Sequence, residues 1–380
     1  MKNYDSPDSP GVMRLAIYIL LLALAFKLAF ILYSGGRVYY DVNLSITHGK
    51  AILDKLGSQV RLILPGVKTY VGSIAWYKLY ESFGVYGLKA FNLAVFALLF
   101  ALQYAIGRKY FPNRVTAAAL FIFAFYAGTN LNVAAGEQDD MTAALFFTLG
   151  VALYAYGRGA FLAALVMSAG VFFKYTAGIY ALGFVVYLVY TRNIRQLFLA
   201  LAGLILPFLC LNVATGFSSL GALLKISKLK RNIFYPENLV LYKFFSTGML
   251  LFLLLSVWAV IRDRSRPNVL LFCLSSVYIV FAVVTLNTYS SGFHMMQSVL
   301  FSSFLVSQVL FMDTYPVGVK PGRLFRVTFL VLYLLVTTAI TLRNLSRDTI
   351  PVNPYQLRYK KLPHNPFISP GDSIKQHPMP

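Results

Sequence analysis

Residues 13–33 have the sequence MRLAIYILLLALAFKLAFILY, which is apolar along nearly its whole length. A run of about 20 predominantly apolar residues is long enough to cross a bilayer as an α-helix. Similar runs recur along the chain, which is 58% hydrophobic and only 12% charged. This composition predicts an all-α polytopic membrane protein, because a transmembrane β-barrel would show short alternating segments instead.

About eleven transmembrane helices can be placed on these runs. The predicted spans are 13–33, 86–107, 115–130, 140–157, 160–173, 176–191, 197–214, 244–261, 268–287, 294–312 and 326–342. The stretch 159–191 allows either two short spans or one long span broken near Lys174. The first run extends well past the small residues Ala23-Leu24-Ala25, so we expect a retained anchor and not a cleaved signal peptide.

The net charge of +21 does not indicate nucleic-acid binding here. The cations fall in short loops between spans, where they orient the helices and meet anionic lipid head groups. Those loops contain Arg108, Lys109, Arg114, Arg158, Arg192, Arg195, Arg262, Arg264, Arg266, Lys320, Arg323 and Arg326. This pattern predicts a cytoplasmic tail 1–12 and a transmembrane domain 13–342, followed by a Pro-rich tail 343–380 that an odd number of spans would place outside.

The two long outer loops, 34–85 and 215–243, differ in character. Segments 44–56 and 70–83 of the first loop mix apolar and polar residues at near-helical spacing, which predicts amphipathic helices at the membrane interface, separated by Pro65-Gly66. The second loop is rich in cations. Cys210 and Cys273 lie inside apolar spans and are expected to be buried apolar residues, which argues against a disulfide, a thiolate metal site or a thiol nucleophile.

Acidic residues are scarce, with only 13 in 380, and two acidic sites on the predicted outer side stand out. Asp41 follows the first span, and Glu137, Asp139 and Asp140 precede the fourth. A desolvated carboxylate at a membrane face suits proton abstraction from a hydroxyl, so all four are candidate catalytic groups.

Simpler accounts of these acids stay open. Asp41 can pair with Arg37, and Asp139 and Asp140 can cap the positive end of a helix. The pattern requires no cofactor. A divalent metal held by one of the acids with His48 or His294 also stays open, although the spacing matches no strong metal motif.

Cations on the same side are candidate ligands for the phosphate of a lipid-linked donor. They are Arg37, Lys174, Lys225, Lys228, Lys230, Arg231 and His294. Each also has a simpler account. Lys174, flanked by apolar residues, can snorkel to the interface, the 225–231 cations can contact anionic lipid, and His294 can be a hydrogen-bonded interfacial residue.

The order of these landmarks resembles the GT-C superfamily of membrane glycosyltransferases, including mannosyltransferases that use dolichyl- or polyprenyl-phosphate-mannose. The resemblance covers about residues 13–312. It rests on a first span followed by Asp41 in a long loop, on the acidic residues before the Phe-rich run DDMTAALFF (139–147), on AALVMSAGVFFKYTA (163–177), and on a His opening a late span.

This resemblance implies an inverting transfer of a sugar, of the mannose type, from a polyprenyl-phosphate donor to a hydroxyl of a glycan, lipid or protein. It implies Asp41 as general base, Asp139 or Asp140 as the second acidic position, and cations on the donor phosphate. It also implies a site on the outer face of a prokaryotic plasma membrane, or in the endoplasmic reticulum lumen. Many members have two adjacent acids where this chain has Asp41-Val42, which leaves metal dependence open.

The alternative function is a lipid or solute transporter or flippase, favoured by Lys27 as the one charge in the middle of a predicted span. The lack of an internal repeat and the position of the acids at span ends argue against it. A lipid-phosphate phosphatase or ligase is a third option, but the sequence lacks a His/Arg constellation typical of phosphate-ester cleavage.

Overall fold

The computed structural model describes residues 10–55, 70–136, 138–174, 177–214, 249–284, 296–311 and 322–352. The elements in chain order are α1 (Pro10–Ser34), β1 (Arg37–Tyr39), α2 (Tyr40–Lys55), α3 (Tyr70–Tyr110), α4 (Asn113–Phe125), α5 (Ala127–Ala135), α6 (Gln138–Ala155), α7 (Ala160–Ala169), a 3₁₀ turn (Gly170–Phe172), α8 (Ala177–Tyr190), α9 (Ile194–Ala214), α10 (Met249–Arg262), α11 (Arg266–Val284), α12 (Met296–Leu310), α13 (Arg323–Asp348) and β2 (Thr349–Pro351).

The predicted all-α architecture is confirmed, and helices occupy the apolar runs, with two departures in how they join. The amphipathic segment 70–83 and the span 86–107 form one helix, α3, with a kink at Gly84, where φ is 63° and ψ is −163°. Glycine alone adopts that conformation readily. The predicted span 115–130 is instead a bent pair, α4 and α5, which meet at 47° on either side of Tyr126.

Among the described residues, fewer helices are long and apolar enough to cross a membrane than the eleven spans predicted. Within the described residues, three helical segments are long and apolar enough to span a bilayer, Gly11–Ser34, Val71–Tyr110 and Arg323–Arg347. The bent pair α4–α5 makes a fourth if it counts as one span. The stretch 159–191 contains two helices, α7 and α8, and each is short.

The surface of the bundle is apolar, as expected where lipid replaces water. Large side chains such as Tyr18, Leu32, Phe198 and Leu335 are more than half exposed on the outer helices. By contrast, α12 lies at the centre, with every residue but Gln308 buried. Cys210, expected to be buried, is exposed on α9, so that prediction is wrong; Cys273 is partly buried, and both thiols are free.

Small residues let neighbouring helices touch backbone to backbone. A Cβ added at Gly150 would lie 2.5 Å from the carbonyl oxygen of Ala163, and one at Gly203 would lie 2.5 Å from that of Phe161. These two contacts join α7 to α6 and to α9. Close crossings at glycine supply the dispersion contacts that hold helices together where lipid removes the hydrophobic driving force.

A two-stranded antiparallel sheet, absent from the sequence prediction, joins distant parts of the chain. Arg37 pairs with Pro351, and Tyr39 pairs with Thr349. Helix α13 continues to Asp348, past the predicted end at 342, so residues 343–351 of the predicted tail are helix and strand. The sheet fixes the segment that leads into α2.

Candidate active site

The acidic residues of the cluster open helix α6. Helix α5 ends at Gly136, whose φ of 86° and ψ of 31° place it in the left-handed region. The N–H of Gln138 donates to the Gly136 carbonyl at 2.8 Å, and α6 begins there. Asp139 and Asp140 therefore occupy the first turn of α6, where the positive end of the helix dipole stabilises negative charge.

Asp139 is buried and serves as an acceptor for two other helices. The indole N–H of Trp76, on α3, donates to its Oδ1, and the hydroxyl of Ser45, on α2, lies 3.5 Å from its Oδ2. Hydrogen bonds from an indole N–H and a hydroxyl stabilise the negative charge of a buried carboxylate. Asp139 thereby joins α2 and α3 to the start of α6.

Asp140 makes an ion pair with Lys174. The Nζ of Lys174 lies 2.5 Å from Oδ1 of Asp140, and the two side chains are only 7% and 11% exposed. Lys174 follows the 3₁₀ turn, and its backbone N–H donates to the carbonyl of Gly170 at 3.0 Å. The lysine does not snorkel to the surface, because its ammonium is buried against a carboxylate.

The Trp76 ring that contacts Asp139 belongs to an aromatic cluster. The ring of Trp76 lies 5.4 Å from that of Phe91 and 5.9 Å from that of Phe173, measured between centroids. Phe173 in turn stacks on Phe146 at 5.6 Å. Since Phe173 directly precedes Lys174, this stack helps to place the ammonium. A site walled by rings is low in dielectric, which strengthens every charge interaction inside it.

Helix α2 brings the backbone of Asp41 to this end of the bundle. Asp41 is the second residue of α2 and lies one turn before Ser45, the residue that contacts Asp139. Further along α2, a Cβ added at Gly49 would lie 2.0 Å from the carbonyl oxygen of Ser73, so α2 packs backbone to backbone on α3. The first turn of α2 is thus fixed relative to both α3 and α6.

Two further lysines are buried, and both bind helix-end carbonyls. Lys89, on α3, donates to the hydroxyl of Ser34 at 2.7 Å and to the carbonyl of Gly35 at 2.6 Å, at the end of α1. Lys27, on α1, reaches the break between α4 and α5. The sequence analysis missed Lys89, although a second lysine inside a predicted span was a usable signal.

The structure brings together Asp139, Asp140, Lys174 and the backbone of Asp41. Arg37 is exposed on β1, just before α2. The side chain of Asp41 lies outside what the structure describes, as do Glu137, His294 and the cations of the second long loop, Lys225, Lys228, Lys230 and Arg231. His48 is partly buried on α2. Among the described residues, no three His, Cys, Asp or Glu side chains form a group that could hold a metal ion.

Comparison of the chain with protein-family models, curated proteins and solved structures gave no match.

Proposed function

We propose that this chain is a membrane glycosyltransferase that moves a sugar, of the mannose type, from a polyprenyl-phosphate donor to an acceptor hydroxyl. The observation that carries the proposal is the meeting of acids and a lysine at one end of the bundle. Asp139 contacts α2, the helix whose second residue is Asp41. Asp140, the next residue of α6, pairs with Lys174. Carboxylates and a buried cation within one site supply the groups that hydroxyl deprotonation and phosphate departure need.

The proposed reaction is a single displacement with inversion. Asp41 takes the proton of the acceptor hydroxyl, whose oxygen forms a bond to the anomeric carbon. The bond from that carbon to the donor phosphate breaks, and the lipid phosphate leaves with the electron pair. Lys174 stabilises the phosphate charge as it develops. Arg37 and the cations of loop 215–243 are proposed to hold the same phosphate from the outside.

The two neighbouring acids take different parts in this proposal. Asp140 is the anion that balances Lys174 until a donor phosphate takes its place at the ammonium. Asp139 is a positioning residue, because both of its oxygens accept hydrogen bonds from α2 and α3. It acts through the placement of the first turn of α2, where Asp41 lies.

The membrane setting is part of the same proposal. The shorter apolar helices are proposed to complete about eleven crossings together with the three long ones. The site then lies at the outer face of a prokaryotic plasma membrane, or in the endoplasmic reticulum lumen. The apolar outer surface of the bundle supports residence in lipid.

Replacement of Asp41 tests the proposal directly. Full-length protein is reconstituted in lipid vesicles and assayed with a panel of polyprenyl-phosphate sugars. Asp41→Asn is expected to lower transfer by about 100- to 10,000-fold, since the amide cannot accept the hydroxyl proton. Asp54→Asn is the matched control on the same helix, because Asp54 is 59% exposed and pairs only locally with Lys50. Full activity in a folded Asp41→Asn variant would rule out the general-base role.

One observation favours the alternative, a lipid or solute transporter. Broken helices with a charge at the break are typical of transporters, and Lys27 contacts the break between α4 and α5. The same vesicles distinguish the two functions. Movement of labelled lipid between leaflets, with no turnover of any sugar donor, would favour the transporter.

A further inference from the structure

The break between α4 and α5 exposes helix-end carbonyls deep inside the protein. A helix normally leaves its last four carbonyls without intrahelical partners, and in a membrane protein water does not reach them. Each of the four here has a donor. The carbonyl of Ile122 accepts from the Tyr333 hydroxyl at 2.7 Å, and that of Phe123 accepts from the Tyr126 N–H at 3.3 Å. The carbonyl of Ala124 accepts from the Lys27 side-chain nitrogen at 2.7 Å, and that of Phe125 accepts from the Asn130 side-chain amide at 3.3 Å.

Lys27 differs from the other three donors because its donor is an amine nitrogen and not a hydroxyl, a backbone N–H or a side-chain amide. Its side chain is fully buried, and its ammonium donates to the carbonyl of Ala124 and to Oδ1 of Asn130, each at 2.7 Å. The ammonium also lies 4.1 Å from the ring centroid of Phe96. Among the described residues, no carboxylate forms an ion pair with Lys27.

The countercharge for Lys27 therefore comes from dipoles. The end of α4 carries partial negative charge on its carbonyls, the amide oxygen of Asn130 adds a second dipole, and the face of Phe96 is the negative part of its quadrupole. The carbonyl oxygen of Ala124 and the side-chain oxygen of Asn130, from either side of Tyr126, and the ring face of Phe96, from α3, form a ligand set suited to a monovalent cation.

We propose that the break between α4 and α5 is a cation site, and that Lys27 is the cation, supplied by the chain itself through α1. The tethered ammonium fixes α5 against α4. Since α5 ends at Gly136, two residues before α6, the same cation positions the turn that carries Asp139 and Asp140. The cation site rests on contacts alone, whereas its effect on sugar transfer rests on the proposed function.

The test removes the tethered cation and returns it as a free one. Lys27→Ala deletes the side chain beyond Cβ, and propylammonium has the same three carbons and nitrogen. Purified full-length variant is expected to melt at least about 5 °C below the wild type and to recover in a saturable manner with propylammonium. Propanol, the neutral equivalent, and sodium chloride at equal ionic strength are expected to give no comparable recovery.

Two controls keep the result interpretable. Leu28→Ala shortens the neighbouring side chain, which is 49% exposed, and propylammonium is expected to leave its melting temperature unchanged. Lys27→Gln retains a donor for Ala124 but carries no charge, and it is expected to melt below the wild type even if Lys27→Ala does not fold. A wild-type melting temperature for Lys27→Gln, or equal recovery of Lys27→Ala by propanol, would overturn the cation site.

The same variants separate this inference from the proposed function. Recovery of the melting temperature by propylammonium in a protein whose wild type transfers no sugar leaves the cation site standing and removes the glycosyltransferase. If the wild type transfers sugar and Lys27→Gln melts at the wild-type temperature, the glycosyltransferase stands and the cation site is removed.

Discussion

Lys27 and Lys174 are both buried lysines, but the charge that balances each is of a different kind. Lys174 pairs with the carboxylate of Asp140 at 2.5 Å, whereas Lys27 is held by carbonyl and amide oxygens and an aromatic ring. A carboxylate partner is an anion, which a phosphate can replace at the same ammonium. Backbone dipoles cannot be exchanged. Under the proposed function, the lysine of the acid site exchanges its carboxylate for a phosphate, whereas the contacts at the helix break stay the same.

Loss of one partner of the Asp140–Lys174 pair is the largest effect expected from this contrast. Asp140→Asn or Lys174→Met alone leaves a buried charge without its counter-ion and is expected to lower the free energy of unfolding by about 3–5 kcal/mol. The double variant Asp140→Asn/Lys174→Met removes both charges and is expected to regain most of that loss. Chemical unfolding in detergent micelles, followed by circular dichroism, measures all three.

An exposed pair of nearly equal length is the matched control. Lys78 and Glu81 lie 2.6 Å apart, but their side chains are 56% and 47% exposed. Glu81→Gln is expected to leave the unfolding curve unchanged, because water and ions screen an exposed pair. If Asp140→Asn left the unfolding curve as unchanged as Glu81→Gln is expected to, burial would not distinguish the two ion pairs. The contrast between Lys174 and Lys27 would then fail.

The neighbouring acid sharpens the comparison, since Asp139 accepts hydrogen bonds from the neutral groups of Trp76 and Ser45, whereas Asp140 pairs with the cation of Lys174. Trp76→Phe keeps an aromatic ring but removes the N–H that donates to Asp139, and the expected loss is about 1.5–3 kcal/mol of unfolding free energy. Asp139→Asn retains an acceptor oxygen and is expected to preserve sugar transfer better than Asp139→Ala. Equal inactivation by both would indicate that the charge of Asp139 itself takes part in the reaction.

The packing of α2 on α3 is the place where the acid site also depends on backbone contact. Gly49→Ala would place a Cβ against the Ser73 carbonyl and push α2 away, at an expected cost of about 1–3 kcal/mol. Transfer is expected to fall together with stability, because Asp41 moves with α2. Gly178→Ala, on α8 with nothing within 4 Å, is the control and is expected to be neutral or slightly stabilising.

The positions of most helices were predictable because apolar runs and polar gaps are local features. The break near Lys174 was predictable for the same reason. The kink at Gly84 falls between the predicted segments 70–83 and 86–107, but their union into one helix was not predictable, because no local feature shows whether a helix continues past a glycine. The contact from Lys27 to Asn130 spans 103 residues of sequence, and nothing local in either segment indicates the other.

The candidate site was predictable as a group of residues and not as a set of roles. Scarcity singled out Asp139 and Asp140 together. Consecutive residues on a helix point about 100° apart, so the two carboxylates meet different neighbours and do different work. The contact of Trp76 with Asp139 was not predictable, because it depends on how α3 packs on α6.

The pairing of β1 with β2 sets an order for biosynthesis. Residues 37–39 are translated before α2 to α13, and their partner strand, 349–351, is translated after them. The segment ahead of Asp41 therefore acquires its final hydrogen bonds only after the whole helical bundle has been synthesised. Asp41, the proposed base, is therefore present in the nascent chain before the β1–β2 sheet next to it can form.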